Sequence, residues 1–257
     1  MKLITLTTDL GNKDYYAAVL KGELLKAIAD VYIVDITHEI DPFSYSQAAF
    51  VLVNSYPHFP DGTIHLAGVD TSRYNGMNHL IFEHNRHFFI GPDNGLFALM
   101  FENNLPKQIY KLKDTMAPNT LPVAGLYVQA AKAIAEGKSM EDIGMQVLSI
   151  NPAASFRPII NHNYIKGQVV HIDRFENVIL NVRKDEFEST RKNRKFIVTF
   201  RRNNDIDKLE ENYSTIHDGD ISCIVNSAGY IELFMKHGAM ASLLGLKLND
   251  SVQIEFK

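Results

Sequence analysis

The sequence predicts an α/β fold: an N-terminal α/β domain with a mostly parallel sheet, followed by a small C-terminal β-barrel domain. Three observations predict it. Strand-like and helix-like segments alternate through the first 155 residues. A polar stretch with Pro152 and Pro158 interrupts the pattern. Beyond it the chain breaks into short apolar runs separated by turn residues. Alternation of strand and helix argues for a parallel sheet, and serial short strands for a barrel or sandwich. The expected boundaries are 1–155 and 160–257.

The elements follow in order. Leu3–Thr8 is rich in β-branched residues and ends at Asp9-Leu10-Gly11, a strand and a turn. Residues 14–29 carry Ala17, Leu20, Leu24, Leu25 and Ile28 at helical spacing. Val31–Ile36 is an apolar run and reads as a buried strand. Ser44–Tyr56 reads as a helix that Pro57 and Pro60 terminate. Thr63–Val69 is a strand, and Leu80–Glu83 with His87–Ile90 a hairpin around His84-Asn85-Arg86. Leu96–Phe101 reads as a short helix, Gln108–Leu112 as a strand, and Val123–Glu136 as a helix closed by Gly137. Asn151–Lys166 reads as a linker. The second half offers strands at Gly167–Ile172, Val178–Val182, Phe196–Phe200, Ile221–Val225, Tyr230–Phe234 and Val252–Phe256. One brief helix is expected there, at Met240–Leu244.

Composition narrows the function classes. The 257 residues are 46% hydrophobic and 22% charged, which is ordinary globular usage. Net charge is −4, which speaks against nucleic acid as the partner. The charge is uneven: residues 1–155 hold 11 Lys+Arg against 16 Asp+Glu, and the remainder 15 against 14. One cysteine, Cys223, excludes an internal disulfide. No apolar run approaches the roughly 20 residues of a membrane span, and Asp9 comes too early for a signal peptide. A cytoplasmic protein is expected.

Ligands of α/β sheets bind beyond the carboxyl ends of the strands. Asp9, Asp35 and Asp70 fall near such ends. A carboxylate at Asp9 suits a vicinal diol, or caps a turn. Asp14 suits a helix N-cap. Asp35 and His38 suit either a structural pair or a site. Gly91-Pro92-Asp93-Asn94-Gly95 is a tight turn whose N–H groups could line a pocket. His79, His84 and His87 lack the helical H-E-x-x-H spacing, so no metal is expected. No P-loop, GxGxxG or GxSxG is present. The basic run from Arg183 to Arg202 reads as a solvated hairpin face, with an anion or RNA patch as the alternative.

Eight motifs in order resemble a known family. They are Thr7-Thr8-Asp9-Leu10-Gly11, Asp14, Lys21-Gly22, Val34-Asp35-Ile36-Thr37-His38, Phe59 to His65, Pro92-Asp93-Asn94-Gly95, Ile172 to Asn177, and Asn226 to Glu232. Together they are similar to the S-adenosylmethionine (SAM) hydroxide adenosyltransferases, relatives of the SAM-dependent fluorinase and chlorinase. The resemblance implies a homotrimer with its site between neighbouring subunits. It implies an SN2 displacement at C5′ of SAM, with SAM as substrate and no cofactor. It places Asp9, Asp14, Asn94, Asp173, Phe175, Asn177 and Ser227 on the substrate, with Asp9 on the ribose diol and Phe175 and Asn177 on adenine. It gives the water to Asp70, with Arg73 nearby.

The sequence departs from the pattern at the chemistry. Water-using members carry an Asp–Arg–His set. Here Asp70 matches the aspartate, Met77 stands at the arginine position and Pro122 at the histidine position. The family's A-V-N-G-G run reads Phe234-Met235-Lys236-His237-Gly238. Three readings follow: a SAM-cleaving enzyme, a paralogue that binds an adenosine-type ligand without this reaction, and an interaction protein that uses its basic face.

Overall fold

The computed structural model describes residues 2–71, 76–102, 104–113, 121–153, 157–200 and 205–257. The chain divides into two compact units, Met1–Ser155 and Phe156–Lys257.

The first unit is a seven-stranded sheet between two helical layers. Its strands are β1 (Lys2–Thr8), β2 (Val31–Thr37), β3 (Ile64–Gly68), β4 (His79–His84), β5 (His87–Pro92), β6 (Ile109–Leu112) and β7 (Gly144–Val147). Their order is β2-β1-β3-β5-β4-β6-β7. The first four in that order are mutually parallel; the β4, β6 and β7 pairings are antiparallel. The parallel half carries the aligned carboxyl ends, while β4, β6 and β7 extend the sheet by antiparallel pairing, β6 lying beside β4 rather than β5.

Side-chain alternation assigns the two faces. Ile4, Leu6, Ile64, Leu66, Ile81 and Ile90 point to a layer made by α1 (Tyr16–Ala27) and α4 (Val128–Ala135). Ala67, Val69, Leu80, Phe82 and Phe89 point to α2 (Tyr45–Ser55) and α3 (Leu96–Met100). Leu20 and Leu24 of α1 are fully buried, and truncating either to alanine costs about 2–5 kcal/mol. The hairpin turns on Asn85 and Arg86, both with positive φ (48° and 66°), the arrangement whose twist suits paired strands. Gly137 closes α4 at φ +78°: its N–H bonds to Ile134 and that of Lys138 to Ala133, a Schellman end.

One expectation needs correction here. Val31–Ile36 is not a buried strand. It is the sheet edge, half-exposed along its length, with Tyr32 61% accessible. An apolar run does not reveal whether a strand has one neighbour or two.

The second unit is an open nine-stranded sheet curled around one core. It comprises β8 (Ile159–Ile160), β9 (Tyr164–Ile172), β10 (Val178–Arg183), β11 (Phe196–Thr199), β12 (Asp205–Ile206), β13 (Leu209–Glu210), β14 (Ile221–Val225), β15 (Tyr230–Met235) and β16 (Ser251–Phe256). Val169, Leu180, Val198, Leu233 and Ile254 fill its interior. Two expectations change. The supposed linker over 151–166 already contains β8 and the start of β9. The basic run is no hairpin face: Lys184–Arg191 is a helix, α6, with α7 (Met240–Leu244) the second helix of this unit. Glu186 accepts a hydrogen bond from the Arg183 backbone N–H at 2.8 Å, half of a capping box, and Phe187 is the one residue of α6 that is buried. Three arginines of the run lie over aromatic rings: Arg183 over Tyr230, Arg191 over Phe196, Arg194 over Phe256. These arginines pack on rings, while Arg183, Lys184, Lys192 and Lys195 stay exposed to solvent; Arg201 and Arg202 lie outside the described residues.

Candidate active site

The carboxyl ends of β1, β3 and β5 lie side by side, and each ends in a polar residue. β1 is followed by Asp9, β3 by Val69 and Asp70, β5 by Asp93 and Asn94. Parallel pairing aligns these ends, which is why three residues far apart in sequence converge.

Asp9 is the centre of the cluster. Its Oδ2 accepts backbone N–H groups from Phe43 at 3.0 Å and Asp70 at 3.1 Å. Both donors are non-glycine residues in the left-handed region, φ 66° and 49°. Each such conformation costs about 1 kcal/mol, and strain of this kind concentrates where structure is committed to function. Asp9 Oδ1 accepts no hydrogen bond among the described residues. One oxygen is thus anchored by two backbone amides. Phe43, not singled out in the sequence, stands at this lip with its ring 69% exposed.

A relay supports the strand end. Lys21 Nζ lies 2.5 Å from Asp35 Oδ2, His38 Nε2 lies 3.2 Å from Asp35 Oδ1, and His38 Nδ1 meets Thr8 Oγ1 at 2.7 Å. The His38 carbonyl also receives the Gly11 N–H at 2.7 Å. Partial burial alone would raise the Asp35 carboxyl; Lys21 and His38 outweigh it and hold it below the usual range. Of the two readings of Asp35 and His38, the structural pair holds, and it braces the turn that begins at Asp9.

Asn94 Nδ2 donates to the Val69 carbonyl at 3.1 Å, and Asn94 Oδ1 accepts from Leu96 N at 3.2 Å. Asp93 is buried and accepts the Asn151 N–H at 2.8 Å; burial pushes its carboxyl up, and that bond opposes the shift. The side chains at this turn therefore hold the loops, while Gly95, at φ +100°, is the turn's left-handed residue. Asp14 is exposed between β1 and α1 and caps nothing: the N-cap of α1 is Tyr15, without a side-chain bond. Arg73 lies outside the described residues. Met77 is half-buried before β4. Pro122 is buried and opens a π-turn, Val123–Tyr127, ahead of α4. A first-turn proline loses no helical bond there. The π-turn seats Val123 against Gly68, where a Cβ would come within 2.7 Å of Val123 Cγ1. Tyr127 OH meets His79 Nδ1 at 2.8 Å.

The three histidines of the hairpin are spent separately. His79 meets Tyr127, His84 packs on Phe101, and His87 meets His65 at 3.1 Å. His65 is fully buried and bonded to Thr5; burial first, then His87, pull its pKa down to about 3. Among the described residues no cluster of His, Cys, Asp or Glu could hold a metal ion.

In the second unit Asp173 organises its own turn. Its Oδ1 accepts Phe175 N at 2.9 Å and Asn177 N at 2.8 Å, and its Oδ2 accepts Asn177 Nδ2 at 3.1 Å. Glu176 takes φ +63°, and Phe175 projects 75% exposed. Ser227 is exposed on the turn between β14 and β15, which Asn226 Oδ1 holds by accepting Ala228 N and Tyr230 N, both at 3.1 Å. Phe234 is buried against Tyr213, and Lys236 and His237 tie down the 214–218 segment, through the Ile216 carbonyl and Asp218. The structure brings Asp173, Phe175 and Asn177 onto one turn and Asp9, Asp70 and Asn94 onto adjacent strand ends.

An α/β unit with acids at its parallel strand ends and a curled β unit with a turn that exposes Phe175 define a two-domain α/β protein. The chain belongs to the SAM hydroxide adenosyltransferase family: that family's N-terminal domain matches residues 4–144 and its C-terminal domain residues 167–253. The chain is 28% identical to the (R)-S-adenosyl-L-methionine hydrolase of Methanocaldococcus jannaschii, over 99% of this chain and 96% of that one. It is 26% identical to the hydrolase of the same name from Thermus thermophilus, over 99% of this chain and all of that one. A fluorinase of Actinopolyspora mzabensis is 24% identical over 98% of this chain and 96% of its own. A conserved protein of Thermotoga maritima shares the fold, with a TM-score of 0.89 at 23% identity over 98% of this chain and 99% of that chain. Among the described residues, no helix is long and apolar enough to cross a membrane.

Proposed function

We propose that this protein binds SAM and cleaves its C5′–S bond with water, releasing adenosine, methionine and a proton. The observation that carries the reading is Asp9, with Oδ2 fixed by two backbone amides and Oδ1 presented outward beside Asp70 and Asn94. Asp9 holds the ribose diol. Asp70 orients the attacking water, with Arg73, three residues on in the sequence, as its assistant. Asp14 and Asn94 line the same substrate, and Asp173, Phe175, Asn177 and Ser227 take the adenine and methionine ends. The sulfonium leaves as neutral methionine, so positioning and partial desolvation of water supply much of the rate. SAM is substrate, and the chemistry calls for no cofactor. The acidic first unit favours a cationic sulfonium. The assembly is a homotrimer acting in the cytoplasm.

The test is incubation of purified protein with SAM and chromatographic detection of adenosine. Adenosine above a heat-killed control supports the reading, and none overturns it. Pro122 and Met77, at the expected histidine and arginine positions, favour a second reading: an adenosine-type ligand bound without turnover. Calorimetric binding of SAM or adenosine with no adenosine produced would establish that one.

A further inference from the structure

Glu232 is a buried acid that the reaction does not use. It lies in the middle of β15, 3% exposed, between Ile179 of β10 and Ile224 of β14. Its Oε1 accepts the Tyr213 hydroxyl at 2.8 Å, and its Oε2 accepts Asn226 Nδ2 at 3.1 Å. The Asn177 amide is close enough to favour the charged form of Glu232, while its Nδ2 donates to Asp173. Each contact leads elsewhere. Asn177 belongs to the turn that exposes Phe175, and Asn226 holds the turn that exposes Ser227. Tyr213 starts the segment covering Phe234. The Asp173 carboxylate opposes the charge on Glu232 as a neighbouring anion, but the groups that hydrogen-bond to it, the Tyr213 hydroxyl and the Asn226 amide, are donors. An ionised carboxylate, acceptor-only on both oxygens, satisfies them together, and no neutral side chain of that size does. Burial opposes the charge, so the acid is retained at a cost.

We propose that Glu232 is a positioning residue, an anionic hub that sets the Asp173–Asn177 turn and the Asn226–Gly229 turn at one spacing so that both engage the same ligand. The inference rests on the adenosyl reading for the identity of that ligand. These turns serve the parts of SAM remote from the reacting carbon. Losing their alignment removes binding shared by ground and transition states, which raises KM and leaves kcat near its value. A purely structural role does the opposite: it lowers the folded fraction, and with it kcat, at unchanged KM.

Two variants test it. Glu232→Gln keeps the volume but turns an amide donor toward donors. Tyr213→Phe removes one bond and leaves the charge. Each is assayed for SAM kinetics, and for tryptic cleavage after Arg174 followed by mass spectrometry. Arg174 sits exposed on the first turn, so the second readout needs no substrate. The expected result is a KM about tenfold higher in Glu232→Gln, as for one buried bond to a charged acceptor, a smaller rise in Tyr213→Phe, and faster cleavage after Arg174 in both. Unchanged KM with unchanged cleavage overturns the inference, as does a fall in kcat alone. Wild-type protein that leaves SAM intact overturns the adenosyl reading instead, whatever the cleavage pattern.

Discussion

Asp9 makes two separable contributions, and two substitutions should pull them apart. In Asp9→Ala the Phe43 and Asp70 amides lose their shared acceptor, at 3.0 and 3.1 Å. A hydrogen bond to a charged group is worth about 1.5–3 kcal/mol. The two share one half-exposed oxygen, and water replaces part of the loss. Screening at such depth reduces the total to about 1–2 kcal/mol. In Asp9→Asn the amide oxygen can take the same two N–H groups, so stability should fall by less than about 1 kcal/mol. Its NH2 then stands where Oδ1 was, turning a donor toward a ligand hydroxyl that also donates. Losing that charge-assisted contact should lower kcat/KM by about 100-fold, equivalent to about 2.7 kcal/mol. Urea unfolding and adenosine release, measured on the same preparations, give both numbers. The reasoning fails if Asp9→Asn retains wild-type activity, or if Asp9→Ala is as stable as the parent.

Three further outcomes follow from the same geometry. His65, held at about 3 in the fold against an ordinary 6.5, leaves the unfolded chain to bind the proton first as pH drops. Its contribution is therefore whole above about pH 6.5 and drains toward pH 3. The protein should lose about 2 kcal/mol between pH 7.5 and 5.0, and His65→Gln should flatten that slope in urea titrations; parallel slopes would falsify the assignment. Restoring the family pattern with Pro122→His and Met77→Arg should raise adenosine formation about 10–100-fold, below the 10²–10⁴ typical of a fully placed acid–base group; an unchanged rate places the water elsewhere. Gly68→Ala should destabilise the chain by about 1–3 kcal/mol through contact with Val123. Val123→Ala in the same chain should recover most of it, as read by thermal unfolding.

What was legible in the sequence, and what was not, follows from how local each signal is. α4 and α7 announce themselves through spacing and a closing glycine. α6 does not, because only Phe187 on it meets the core and no apolar period exists to detect. β2 looks buried from its composition, but its neighbours decide exposure, and it has one. The antiparallel half of the sheet is invisible to strand–helix alternation: α3 lies between β5 and β6 and α4 between β6 and β7, as in a parallel sheet, yet the β4–β6 and β6–β7 pairings are antiparallel. At the site, Asp9, Asp70 and Asn94 could be grouped because parallel strands align their ends. Phe43 could not, because its approach to Asp9 depends on a left-handed turn that only three dimensions reveal. Glu232 stands in plain view at the end of the Asn226 to Glu232 motif; its burial and its two donors come from different strands and loops.

The two amides that grip Asp9 belong to the main chain. Any residue other than proline supplies them, although the left-handed backbone at 43 and 70 disfavours β-branched side chains there. Those side chains nevertheless border whatever Asp9 holds. An ancestral site of this design could exchange its lip residues one substitution at a time without ever releasing the Asp9 carboxylate. Divergence at the rim with constancy at the anchor is the evolutionary freedom that a backbone-made clamp confers.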